Sequence, residues 1–320
     1  MGSNIRRAVH AGSWYEDDPE LLSQEIRRML STNWAEGALQ DGHLKAIIAP
    51  HAGLRFSGDV AARVYACMDP KHIKRVFVIG PSHHAYFKGI GLPGDRVDAY
   101  ASPGGNLQLD TEVLSALRKT NKFESISMKV DEAEHSLELQ LPFLAELLIA
   151  PSGESMAKLV PLIVGSVHAE TEREYGQILA PYLEEEGNFF VISSDFCHWG
   201  AQFGYTRRGR SELAETYIDG PFPENASIEG LDREGMKLIG ARDVEGFRDY
   251  LARSGNTICG RHPILVFLEA MKARDLDMNV EFVKYAQSST MPGMGPPTTS
   301  SVSYACACVT PVYVPPVNAP

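Results

Sequence analysis

Long apolar runs are missing from this chain, and so is any excess of basic charge. No stretch of its 320 residues approaches the roughly 18 consecutive apolar residues of a membrane span, so no membrane insertion is expected. The net charge is −11, which leaves no basic field to hold phosphates and argues against nucleic acid as a partner. Cysteine is sparse: five in a chain of this length cannot form a disulfide framework and read as reduced thiols. The first residues, MGSNIRRAVHAG, contain no apolar core of a secretory signal, and Arg6 stands where a myristoylation sequence needs Ser or Thr. The expected location is therefore cytoplasmic, with access to the nucleus left open. Walker A, G-x-S-x-G, C-x2-C and H-E-x-x-H patterns are all absent, so nucleotide hydrolysis, serine-hydrolase chemistry and the common zinc spacings have no support. The stretch GIGLPG at 89–94 matches G-x-G-x-x-G, but Pro93 stands where a helix should begin and no strand leads directly into it.

What is present is a globular composition, 44% hydrophobic and 22% charged, enough for a sizeable core. Short apolar runs at 45–50, 75–80, 159–165 and 189–192 read as buried strands, and residues 280–286 and 302–309 as later ones, the last antiparallel. Helical patterns at 19–30, 110–119, 170–185, 209–218, 233–239, 243–252 and 264–271 alternate with them, Pro263 fitting the first turn of the last. The segment through Ala61, Val64 and Met68 is also helix-like. This alternation points to βαβ units and a largely parallel sheet, and no linker clearly divides the chain in two. Residues 87–103 read as irregular, 126–130 as a strand, 131–135 as an acidic turn, and 220–230 and 291–299 as insertions. In the apolar segment 137–149, Pro142 marks a first helical turn or a kink, and 311–320 reads as a disordered Pro-rich tail.

Three of the apolar strands empty into polar residues of one kind: IIAP into His51, VFVIGPS into His83 and His84, and FVISS into Asp195, Cys197 and His198. A single histidine after a strand is usually a satisfied turn residue. Three at the carboxyl ends of neighbouring parallel strands, about 4.8 Å apart, can converge on one point. Neutral imidazole is the commonest metal ligand, and two or three with a carboxylate or thiolate define a transition-metal site. Cys259 lies in a Gly-flanked turn before a helix, whose N-terminal dipole is expected to lower its thiol pKa. Asp195 and His198 are candidates for ligands, for an acid–base pair, or for a carboxylate orienting an imidazole. His135 with Glu134 and Glu138 reads as a local salt bridge, and His262 beside Arg261 as an anion site or a helix cap.

Seven motifs in order then resemble the Memo family, named for a mediator of receptor-tyrosine-kinase-driven cell motility. They are HAGSWY from His10, IIAPHAG from Ile47, GPSHH from Gly80, DEAEHSLELQLPF from Asp131, SSDFCHWG from Ser193, NTICGRHP from Asn256, and YAQSS from Tyr285 followed by SSVSYA from Ser300. The resemblance covers residues 5–310 and implies a single α/β domain there, with a central, largely parallel mixed sheet flanked by helices, similar to the class III extradiol (LigB-like) non-haem-iron dioxygenases. It implies a redox-active metal, iron with copper as the alternative, held by His51, His83 and Cys259. Asp195 and His198 would line the same pocket. Trp14, Phe56 and His84 would form its rim, where animal members are similar to a phosphotyrosine-peptide-binding surface. Phe56 departs from the Tyr common in the family, which removes a hydroxyl from that rim. The implied roles are metal and redox homeostasis and motility or cytoskeletal signalling. Two alternatives stand beside the metal reading: a phosphotyrosine-peptide module using the old enzyme pocket, and a dioxygenase acting on an aromatic substrate. Classical catechol cleavage is expected to be weak or absent, because Cys259 stands where an extradiol site has its carboxylate.

Overall fold

Four parallel strands carry the molecule, and each is a short apolar run buried on both faces, as parallel strands covered by helices must be. The computed structural model describes residues 4–33, 44–206, 224–288 and 300–312. In chain order the elements are β1 (Asn4–Arg6), α1 (Pro19–Asn33), β2 (Ala46–Ala49), α2 (Leu54–Tyr65), β3 (Arg75–Pro81), β4 (Ile90–Pro93), β5 (Val97–Ser102) and β6 (Gly105–Gln108). Next come α3 (Thr111–Lys119), β7 (Phe123–Ile126), α4 (Met128–Ala133), α5 (His135–Glu138), α6 (Leu141–Leu148), β8 (Lys158–Val164), α7 (Ala169–Glu184), β9 (Asn188–Ser193) and β10 (His198–Gly200). The chain continues with α8 (Glu224–Gly240), α9 (Val244–Ser254), α10 (Arg261–Ala273), β11 (Met278–Gln287) and β12 (Ser300–Pro311).

The larger sheet runs β10-β12-β2-β9-β3-β8-β4-β7, with β11 paired to β12. Strands β2, β9, β3 and β8 are mutually parallel, while β12 joins β2 antiparallel and β4 joins β8 antiparallel. A smaller sheet, β1-β5-β6, lies apart from it. The mixed α/β architecture with a largely parallel centre is the one the sequence predicts. Pro161 lies within β8, opposite Val78 of β3; on the other side β4 pairs with β8 only at Ile163 and Val164 and Leu109 bridges Leu159, so the proline falls in the gap between them, where a residue without an N–H is tolerated.

Helices cover both faces through their apolar stripes. Leu22, Ile26 and Met29 of α1 are buried, and Leu21, at the edge of that stripe, is exposed. Helix α10 is buried over Pro263–Met271 and lies against α7, where a Cβ on Gly176 would come within 2.6 Å of Glu269. Asp110 and Asp243 cap α3 and α9 by accepting from the Val113 and Gly246 N–H groups.

Several local expectations change. Residues 87–103 are not irregular but supply β4 and β5. Their Gly91 serves packing rather than a turn: a Cβ there would lie 2.3 Å from Ile126. The stretch 126–130 is not a strand; β7 ends at Ile126 and Ser127 caps α4. The acidic turn 131–135 is the junction of α4 and α5, and Pro142 sits in the first turn of α6 rather than at a kink. Of the insertion at 220–230, Glu224 onward belongs to α8. The helix at 209–218, the loop at 291–299 and the tail beyond 312 fall outside the described residues. No helix among the described residues is long and apolar enough to cross a membrane.

Candidate metal centre

His51 follows β2 directly and is almost fully buried. Its backbone N–H donates to Asp195 Oδ1 at 2.8 Å, and its ring Nδ1 lies 2.8 Å from Ser193 Oγ. Ser193 Oγ donates its own proton to Ser136 O and receives Gln140 Nε2, so it accepts from His51 Nδ1–H. That assignment leaves His51 Nε2 with its lone pair, pointing at Cys259 Sγ 3.2 Å away. Gln140 also donates to Pro50 O and accepts from Tyr65, which fixes the end of β2.

His83 follows β3 and is held by one carboxylate at two points. Its N–H donates to Glu134 Oε2, and Nδ1 lies 2.8 Å from Glu134 Oε1. Since a carboxylate only accepts, Nδ1 carries the proton and Nε2 is the open nitrogen. Burial raises the Glu134 carboxyl, but its bonds to His83 outweigh that and take it down to about 2. The same carboxylate accepts from Ser136 N–H and so caps α5, whose first residue is His135.

His135 stacks on His83, centroids 4.3 Å apart and planes 19° apart, and its Nδ1 is buried without a hydrogen-bond partner. One ligand nitrogen from each of His51, His83 and His135 lies within 4.8 Å of the other two. Burial, and then the neighbouring imidazoles, push the His51 pKa well below its ordinary value and that of His135 down to about 3. Neutral imidazoles with convergent lone pairs suit a metal ion. His83 also has the carboxylate partner that commonly orients a ligating histidine. The local salt bridge expected at His135 is a 3.7 Å approach to Glu134; that carboxylate's main partner is His83.

Asp195 is buried at the end of β9, where its carboxylate accepts from the backbone N–H of His51 and of Ala52, and burial raises its pKa. It does not orient the His198 ring. His198 Nδ1 faces Phe196 O at 2.9 Å and Thr257 O at 3.2 Å, and its N–H donates to Thr257 Oγ1, so the carbonyls fix the tautomer and Nε2 stays open. Cys259 receives the Asp195 N–H at 3.3 Å. Burial, reinforced by the Asp195 charge, pushes its thiol well above the ordinary value. The expected lowering by the helix terminus is outweighed by desolvation. Gly260 allows this approach: a Cβ there would lie 2.3 Å from Ser194, whose Oγ accepts the Gly260 N–H.

At the rim, Trp14 packs on His135 at 4.6 Å with 37% of its surface exposed, and its carbonyl accepts the Leu54 N–H at the start of α2. His84 meets His135 edge-on at 5.6 Å, and the Arg55 guanidinium lies 4.4 Å over the Phe56 ring. Beneath lies a part that strand-end reading misses. Arg6, fully buried, binds Glu138, Asp131 and the carbonyls of Asp131 and Glu134, while Glu138 also holds His10 and Tyr15. Asp232 of α8 accepts from the Cys197 N–H and from Asn256, tying the two pocket loops together. The signal for the first was the acidic stretch 131–138 itself, which places four carboxylates beside one histidine.

Fold and site thus define a mixed α/β protein with an imidazole pocket over the carboxyl ends of its parallel strands. Comparison with known proteins is specific: residues 6–308 match the family model described as Memo-like protein. The chain is 40% identical to Protein MEMO1 of Danio rerio over 95% of its length and 97% of the relative's. It is 38% identical to Protein MEMO1 of Homo sapiens over the same shares, and 38% identical to a MEMO1 family protein of Schizosaccharomyces pombe over 96% and 99%. The chain belongs to the Memo family.

Proposed function

We propose that the pocket binds one redox-active transition-metal ion, iron with copper as the alternative, through Nε2 of His51, Nε2 of His83 and the Cys259 thiolate, with His135 as the adjoining imidazole. The observation that carries this reading is the proton assignment: Ser193 and Glu134 take the Nδ1 side of His51 and His83 and leave both Nε2 lone pairs open. The buried, unpartnered Nδ1 of half-buried His135 fits the same reading, because a buried polar atom without a partner is costly. Bound there, the ion would supply one-electron chemistry. Cys259 must lose its proton on binding, so affinity rises with pH. In this reading His198 holds a proton at the pocket wall, which its Nδ1 bonds to the Phe196 and Thr257 carbonyls support, and Asp195 fixes the His51 backbone rather than sharing that proton. The wider role, cytoplasmic metal and redox homeostasis linked to motility or cytoskeletal signalling, follows from the family resemblance, and the bounds of the functional unit are taken as residues 5–310. Catechol cleavage is not part of the proposal, since a thiolate replaces the carboxylate of an extradiol site.

Elemental analysis of protein purified anaerobically with both metals supplied tests it. About one iron or copper per chain is expected, falling at least tenfold in His83→Ala and Cys259→Ala with the far-ultraviolet circular dichroism unchanged. Full metal content in both variants overturns the assignment.

A second reading, docking of a phosphotyrosine peptide across the rim, is favoured by the exposed Trp14 indole over His135. It predicts saturable quenching of tryptophan fluorescence by such a peptide that persists after the metal is stripped and is lost in Trp14→Ala. Quenching that vanishes with the metal, or survives in Trp14→Ala, counts against it.

A further inference from the structure

Beside the imidazole pocket opens a cleft of about 500 Å³, the size of a small-molecule site. His83 and Cys259 form the wall that it shares with the pocket; Arg261, His262, His84 and Tyr86 stand along the rest. Among the described residues no aspartate or glutamate lines it. In a chain of net charge −11 the lining carries one cation, Arg261, while the carboxylates behind it, Glu134 and Glu172, are taken up by His83 and His262.

Arg261 is the centre of the cleft's charge. Among the described residues its side chain donates only to the Ile258 carbonyl, through Nη1 at 3.2 Å, and forms no ion pair. The arginine of the neighbouring network behaves differently: Arg248 is neutralised by Glu172 and Glu269. Glu172 is thereby already matched, and it also takes Nδ1 of His262 at 2.6 Å. The bond to Glu172 places the His262 proton on Nδ1 and leaves Nε2 as the open nitrogen. Helix α10 starts at Arg261, so its positive end reinforces the same field.

We infer that this cleft binds a small organic carboxylate, its anionic end on the Arg261 guanidinium and its other end against the His83–Cys259 wall. The class of anion follows from charge and shape. Among the described residues the cleft holds one permanent cation, which matches a monoanion rather than the dianion of a phosphate monoester. A guanidinium fork with free N–H groups pairs with the two oxygens of a planar carboxylate. The inference depends on the metal reading only for what the far end of the ligand meets.

Calorimetric titration of the metal-loaded protein with benzoate tests it, with phenyl phosphate and benzamide as comparison ligands. Benzoate is expected to bind saturably and benzamide, its neutral analogue, not to bind. Arg261→Gln should weaken benzoate about ten- to hundredfold, the loss of one charge-assisted pair, and Arg261→Lys should restore part of it. Circular dichroism checks that both variants fold. Benzoate affinity unchanged in Arg261→Gln, no benzoate binding to the parent protein, or phenyl phosphate binding more tightly than benzoate would each overturn the inference. Elemental analysis of the same samples separates the two readings. Absence of metal from the parent protein sinks the metal assignment alone, whereas the Arg261 dependence of benzoate binding decides this one in either case.

Discussion

Arg6→Ala is expected to cost the fold about 3–5 kcal/mol, measured by urea unfolding at neutral pH, because it strips the partner from buried carboxylates. Arg6 is fully buried, as are Glu138 and Asp131, with which it forms ion pairs. Its Nη2 also satisfies the buried carbonyls of Asp131 and Glu134 at 2.9 Å each, at the C-terminal end of short α4. Burial tends to raise the Glu138 carboxyl, and its bonds to His10 and Arg6 hold it below the usual range. A carboxyl depressed in the folded state contributes stability above its unfolded pKa and loses it as pH falls. In Arg6→Ala that depression is relieved, so the deficit against the parent protein should shrink between about pH 5 and pH 3. A loss under about 1 kcal/mol at neutral pH, or a deficit that grows on acidification, would show that the network is not what holds β1 and α4–α5 together.

Glu134→Gln should lower the affinity for the proposed metal about 10- to 100-fold while leaving the protein folded, the usual cost of removing a group that orients a ligating histidine. Glu134 holds both the backbone N–H and the Nδ1–H of His83, and the Ser136 N–H as well. A glutamine has one acceptor oxygen, and its amide group would present donors to at least one of those N–H groups. His83 would then lose the pairing that commits Nδ1 to its proton. Competition with a chelator of known affinity reads the change, with circular dichroism as the check on folding. Affinity within twofold of the parent value would mean that His83 is placed by β3 alone.

The two variants touch the region that the sequence described least well. Residues 126–130 alternate in a way that suits a strand, and nothing local opposes it except Ser127 as a cap. What makes 128–138 two short helices is Arg6, more than 120 residues away, which satisfies carbonyls at their junction. A helix of six residues has little stability of its own, so its existence is a tertiary matter. The same junction turns His135 into the pocket, beside His83, although nothing in its local spacing marks it as belonging with the strand-end histidines. Gly91 makes the same point in reverse: a residue that signals a turn in sequence is here a place where Ile126 packs close to a strand.

By contrast, β2, β3, β8 and β9 were legible because buried parallel strands are apolar on both faces and stop where the polar loop begins. Those stops name His51, His83, Asp195 and His198, and the Asp caps at 110 and 243 mark their helices. By itself the sequence determined the α/β class, where along the chain the parallel core strands lie and which strand ends bear polar groups, since each depends on the periodicity of a few adjacent residues. Only the tertiary structure decided which nitrogen of His51 and of His83 is open, that burial raises the Cys259 thiol rather than lowering it, and that His135 joins the group. Those outcomes depend on Ser193, Glu134, Asp195 and Arg6, partners far off in sequence whose hydrogen bonds and desolvation exist only once the chain has closed.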